Sequence, residues 1–190
     1  MRKQSSKPQQ GFSLLEGLVV IGIISIIMAM AIINFGNMMP NARANSAMDQ
    51  LLYQLRSARE RAISHRREVQ IQFVGTNQLT VTELWVVGTP PPPTTYTFEG
   101  GAVYTVLNGV PDTPMAFGNS SAIYFGGVTG GPPIMKFTTN GSFIDGGNTL
   151  VNGTAFLGIP GKNQSARAIT ILGATGRVRP YHYDNSQWQE

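Results

Sequence analysis

Two short strings in this chain combine residue types that can do chemistry. The first is Phe12-Ser13-Leu14-Leu15-Glu16, which places a carboxylate at the very start of an apolar stretch. From Gly17 to Phe35 there are 19 residues without a charge, and only Ser25 and Asn34 among them are plainly polar. A carboxylate carried deep into lipid without a partner costs on the order of a few kcal/mol, so Glu16 needs a counter-charge. A cut between Gly11 and Phe12 would supply one, because the new α-amino group of Phe12 lies one helical turn from residue 16. In the plainer alternative Glu16 only complements the positive end of a helix, which is worth under about 1 kcal/mol.

The second string is Gly176-Arg177-Val178-Arg179-Pro180-Tyr181-His182-Tyr183. In a strand, Arg177 and Arg179 fall on one face about 6 to 7 Å apart. That spacing matches neighbouring backbone phosphates, and the planar guanidinium fork suits phosphate oxygens. Tyr181, Tyr183 and Trp188 would offer stacking surfaces to bases, and Lys162 and Arg167 would join the patch if the preceding hairpin lies beside it. Against this stands the ordinary reading of a solvated strand face with Tyr181 and Tyr183 in the core.

Enzyme chemistry finds no such support. His65 and His182 are the only histidines, cysteine is absent, and no HExxH, GxSxG or P-loop string occurs. The acids Asp112, Asp145 and Asp184 are scattered, and the cluster from Asn140 to Asp145 has too few carboxylates for a calcium site and reads as a turn. The chain is therefore expected not to be an enzyme and to need neither cofactor nor metal. Without cysteine, the redox compartment stays open.

The formal charge of +4 points weakly toward polyanions, but Arg2, Lys3 and Lys7 precede the suspected cut. Their removal takes 14 basic residues to 11 against 10 acidic, a net charge of +1. Any affinity for nucleic acid must then reside in a local patch. Charged residues make up only 13% of the chain and apolar residues 42%, with 22 Gly and 12 Pro, which indicates one folded, loop-rich domain with an unusually apolar appendage.

These residues need elements to position them. A helix over Gly17–Phe35 would be roughly 28 Å long, close to the thickness of a bilayer core. Basic residues precede it and the first one after it is Arg43, which puts the N-terminus in the cytoplasm and the bulk of the chain outside. A conventional secretory signal, cleaved near Ala29-Met30-Ala31, is the competing reading; the apolar run continuing through Ile33 and the carboxylate at its start weigh against it.

Beyond the span, Ala44, Met48, Leu51, Leu52, Leu55, Ala58, Ala62 and Ile63 recur at helical spacing, so an amphipathic helix continues outward, with a bend or interruption expected at Pro40. Its other face carries Arg56, Arg59, Glu60, Arg66 and Arg67, which reads as a solvated or subunit-contacting surface, with DNA binding as the lesser alternative. The period then changes to two: strands are expected over Val69–Phe73, Leu79–Val87, Ala102–Leu107, Ala122–Phe125, Ile134–Thr138, Ser142–Ile144, Thr154–Ile159, Ala168–Leu172 and Arg177–Tyr183. Pro90 to Pro93 reads as an extended segment. The fold class is α+β, one long N-terminal helix against an antiparallel sheet.

The string from Gly11 to Glu16, with its short basic leader and apolar helix, resembles the prepilin cleavage and methylation signal of type IV pilins and type II secretion pseudopilins. The resemblance implies a membrane-embedded prepilin peptidase that cuts after Gly11, methylation of Phe12 as the new N-terminal residue, and a role for Glu16 in guiding assembly beside other pilin or pseudopilin subunits. It implies an inner-membrane anchor, a periplasmic or extracellular domain, and the division 1–11 leader, 12–35 membrane and filament-core helix, 36–67 amphipathic continuation and 68–190 β-rich domain. Gly17 stands where a larger aliphatic is usual, and Ile33 where many major pilins carry a kinking Pro, which leans away from a major pilin. Gly176-Arg177-Val178-Arg179 is similar to the GRxR string of FimT-like minor pilins of the FimT/GspH family, which implies DNA binding during DNA uptake. The alternative within the same resemblance is a minor pseudopilin that acts in protein export and binds no nucleic acid.

Overall fold

The computed structural model describes residues 13–85, 88–126, 134–184 and 186–190, with residues 33–37 described by their backbone alone. The chain divides into two compact units, Met1–Met39 and Pro40–Glu190. A single helix, α1 (Leu14–Ser64), contributes to both, and Pro40 lies inside it. Of the bend or interruption expected at Pro40, the interruption does not occur, since α1 continues past it: the missing proline N–H removes one bond of the ladder and leaves the rest to continue.

The first unit is simple. The Ser13 carbonyl accepts the N–H groups of Glu16 (3.0 Å) and Gly17 (3.1 Å), which starts the helix. The segment Leu14–Ile32 has a mean hydropathy of 2.5 and buries none of its residues, so it is long and apolar enough to cross a membrane. Ser25 returns its hydroxyl to the Ile21 carbonyl (2.8 Å), which removes its polarity from the apolar surface.

In the second unit the helical stripe read from spacing is the buried face. Ala44, Met48, Leu51, Leu55, Ala58 and Ala62 are buried, joined by Ala47; Leu52 is partly buried, and Ile63 is exposed. Alanine at four of these places lets strands approach closely. Arg66, in the left-handed conformation (φ 52), ends the helix, and the Arg67 N–H closes on the Ala62 carbonyl at 3.1 Å.

The strands are β1 (Val69–Val74), β2 (Gln78–Glu83), β3 (Thr94–Thr97), β4 (Val103–Tyr104), β5 (Ile123–Phe125), β6 (Ile134–Phe137), β7 (Phe143–Asp145), β8 (Gly153–Ile159), β9 (Lys162–Leu172), β10 (Arg177–Asp184) and β11 (Gln187–Gln189). They form two antiparallel sheets where one was expected. The first has the order β3-β2-β1-β6-β7, and the second β11-β10-β9-β8-β4, with β5 also pairing β8. The class is α+β as expected, with the helix from Ala47 to Ala62 sharing one core with both sheets. Phe73, Tyr104, Phe98, Phe125, Phe143 and Phe137 form a continuous aromatic chain through that core, with ring centroids 4.7 to 5.6 Å apart.

Several expectations shift in detail. The strand expected over Ala102–Leu107 shrinks to Val103–Tyr104, and that over Leu79–Val87 ends at Glu83, with residues 86–87 outside the described set. Two strands escape the sequence reading. β3 follows the prolines and pairs at the sheet edge, where Thr80 and Thr95 bring their hydroxyls to 2.9 Å. β11 is only three residues long and pairs with the end of β10.

Candidate functional site

Gly11 and Phe12 lie outside the described residues. Glu16 occupies the first turn of α1 and is exposed, so its carboxylate sits at the positive end of the helix.

The arginine string forms β10. Register with β9 pairs Arg177 with Leu172, Arg179 with Thr170 and Tyr181 with Ala168, and these positions share one face of the sheet. Arg177 is exposed, and its side chain makes no hydrogen bond or ion pair among the described residues. Arg179 is half-buried and pairs with the Glu190 carboxylate at 3.5 Å. A hydrogen bond with Tyr181, and then Glu190, hold the Arg179 guanidinium further above its already high pKa.

The aromatic part of the expected site is corrected. Tyr181 is buried, 4% exposed, against Phe156 and Ala168, so it belongs to the core of the outer sheet face. Tyr183 packs against Trp188 in a tilted pair with centroids 5.3 Å apart, and the Trp188 indole donates to the Pro111 carbonyl at 2.9 Å. These rings fasten the tail to the 105–121 loop and offer no open platform.

Arg167 is corrected as well. It pairs with His182, which places it on the face opposite Arg177 and Arg179. There it is 5% exposed, and burial pushes its pKa down. Its guanidinium donates to Asn45 Oδ1 (2.6 Å) and to the carbonyls of Gln164 (3.0 Å) and Ala166 (2.8 Å). Arg167 therefore ties sheet to helix within the second unit. Lys162 is exposed at the β8–β9 turn, eight residues along β9 from the partner of Arg179, or about 26 Å.

What replaces them comes from α1. Arg56, Arg59 and Glu60 line a groove of about 850 Å³ together with Thr175, Gly176 and Arg177. Arg59 Nε donates to the carbonyls of Gly141 and Thr175, both at 3.1 Å, and Arg56 donates to the Val178 carbonyl at 3.4 Å. The motif glycine is dictated by this packing. Gly176 has φ +59, and a Cβ there would fall against the Gly141 carbonyl oxygen and within 3.0 Å of Arg59 Nε. The i, i+3, i+4 spacing of Arg56, Arg59 and Glu60 identifies one helix stripe in the sequence; what that stripe faces depends on tertiary packing. Just beyond the end of the helix, Arg67 lies 3.9 Å over the Trp85 ring.

Among the described residues no group of three His, Asp or Glu side chains is arranged to hold a metal.

The sequence family described as the prokaryotic N-terminal methylation motif matches residues 6–32. With that segment leading into α1 and the sheets behind it, the chain is type IV pilin-like. Among solved structures it is similar to the type IV minor pilin FimU of Pseudomonas aeruginosa strain PAO1 in two crystal forms. Sequence identities are 19% and 20%, covering 77% of this chain and 92% and 97% of those chains, with TM-scores of 0.47 and 0.46. No curated protein matches the chain.

Proposed function

We propose that this protein is a minor pilin-type filament subunit, cut between Gly11 and Phe12, methylated on Phe12, and held in the inner membrane by the first part of α1 until assembly. The supporting observation is the exposed Glu16 in the first turn of an apolar helix that is 0% buried over Leu14–Ile32. Such a surface has to be covered by lipid or by the same helices of neighbouring subunits, and the carboxylate has to meet a cation such as the α-amino group that the cut creates. The positive-inside bias of the leader supports a second unit outside the cytoplasm.

Within that reading, Arg177 and Arg179 take DNA phosphates during DNA uptake. The exposed Arg177, without an ion pair among the described residues, supports this. The test is a salt titration of double-stranded DNA binding by the full chain in detergent micelles. Affinity is expected to fall steeply with salt and to drop when both arginines are changed to Ala; equal binding by the R177A/R179A chain contradicts it.

One observation favours a second reading, a type II secretion pseudopilin that binds no nucleic acid: the Arg179 guanidinium is already engaged by Glu190. A wild-type chain without measurable DNA affinity at low salt supports that reading.

A further inference from the structure

We infer that the groove between α1 and β10 is a phosphate track, with Arg56 and Arg59 continuing the row begun by Arg177, so that a DNA backbone crosses from the strand onto the helix. This inference rests on the nucleic-acid reading above. Its basis is an excess of positive charge: three arginines and one carboxylate, Glu60, line one groove, and among the described residues none of the arginines forms an ion pair. Like charges gathered this way repel one another, and an anion in the groove relieves that repulsion.

The geometry is prepared for the task. Arg59 is fixed through Nε to two carbonyls, which leaves its terminal NH groups without a hydrogen-bond partner among the described residues. A guanidinium held in this way loses little freedom on binding a phosphate oxygen. Arg56 is exposed, three residues before Arg59 on the same stripe, with Cβ atoms about 5 to 6 Å apart. The backbone of Thr175 and Gly176 forms part of the lining, and the absence of a side chain at Gly176 keeps that part low. Glu60 is the opposing charge in the lining. The path differs from one running along the β8–β9 hairpin, where Lys162 is about 26 Å from the position opposite Arg179.

The experiment uses the full chain in detergent micelles and a fluorescently labelled DNA duplex of random sequence, with Kd measured across a salt series. Arg56→Gln is expected to raise Kd about ten-fold at low salt and to reduce the salt slope by about one. Glu60→Gln is expected to lower Kd, and Lys162→Gln to leave it within about two-fold; these are surface changes, and thermal melts confirm that each variant is folded. If the wild type binds and Arg177→Ala weakens it, but Arg56→Gln and Glu60→Gln change nothing or Lys162→Gln weakens binding more than Arg56→Gln, the groove path is wrong while DNA binding stands. A wild type that does not bind overturns both.

Discussion

Arg59, half-buried on α1, donates from Nε to the carbonyl oxygen of Gly141 at 3.1 Å and so ties the helix to the β6–β7 turn. The same Nε reaches the Thr175 carbonyl in the β9–β10 turn. One guanidinium therefore holds the entrance of β10, and the glycine that opens the Gly176-Arg177-Val178-Arg179 string is needed because Arg59 and Gly141 leave no room for a Cβ.

This gives a paired prediction. Gly176→Ala and Gly161→Ala both place a Cβ on a residue with positive φ (+59 and +77), a strain of about 1 to 3 kcal/mol. Around Gly161 there is nothing within 4 Å, whereas at Gly176 the new atom meets the Gly141 carbonyl and Arg59. Thermal melts of the full chain in detergent should show the larger loss for Gly176→Ala. Equal losses would mean that the turn, and not the Arg59 clamp, requires the glycine.

Arg167 should act on stability and not on DNA. Arg167→Ala strips Asn45 of its partner and leaves a hole behind a side chain only 5% exposed, for an expected loss of about 2 to 4 kcal/mol. Where the variant remains folded, the salt slope of DNA binding should match the wild type. A slope reduced by about one would place Arg167 at the phosphate surface instead.

Tyr104 should set an alkaline limit. It is buried in the aromatic core, its hydroxyl donates to the Gln78 carbonyl at 3.1 Å, and burial raises its pKa far above the ordinary value. The folded chain thus keeps the phenol neutral while the unfolded chain ionises above about pH 10. The stabilisation is complete below that pH and declines above it by about 1.4 kcal/mol per unit. Tyr104→Phe should remove this part of the alkaline decline, at a cost near neutral pH of about 1 kcal/mol for the lost hydrogen bond. Urea midpoints for both proteins between pH 8 and 11 check the difference; parallel curves would show that Tyr104 ionises equally in both states.

Much of this architecture is legible in the sequence, because periodicity reports burial directly. The stripe from Ala44 to Ala62 and the alternation of Val69, Ile71 and Phe73 are buried as their spacing requires. What cannot be read are relations that strand pairing creates. Arg167 lies near Arg177 and Arg179 in the sequence, yet pairing with β10 turns it to the opposite face, where Asn45 receives it. Arg56 and Arg59 are more than a hundred residues from Arg177, and only the fold brings the three around one groove. β3 and β11 are short edge strands with exposed or half-buried residues, so their patterns carry no hydrophobic alternation.

The most direct test of the account is the mass of the N-terminal peptide of the mature protein purified from its host's membranes. The prediction is a chain that begins at Phe12 and carries one methyl group on its α-amino nitrogen. A chain that begins at Ile32, or one that retains Met1 through Gly11, would contradict the pilin-type reading.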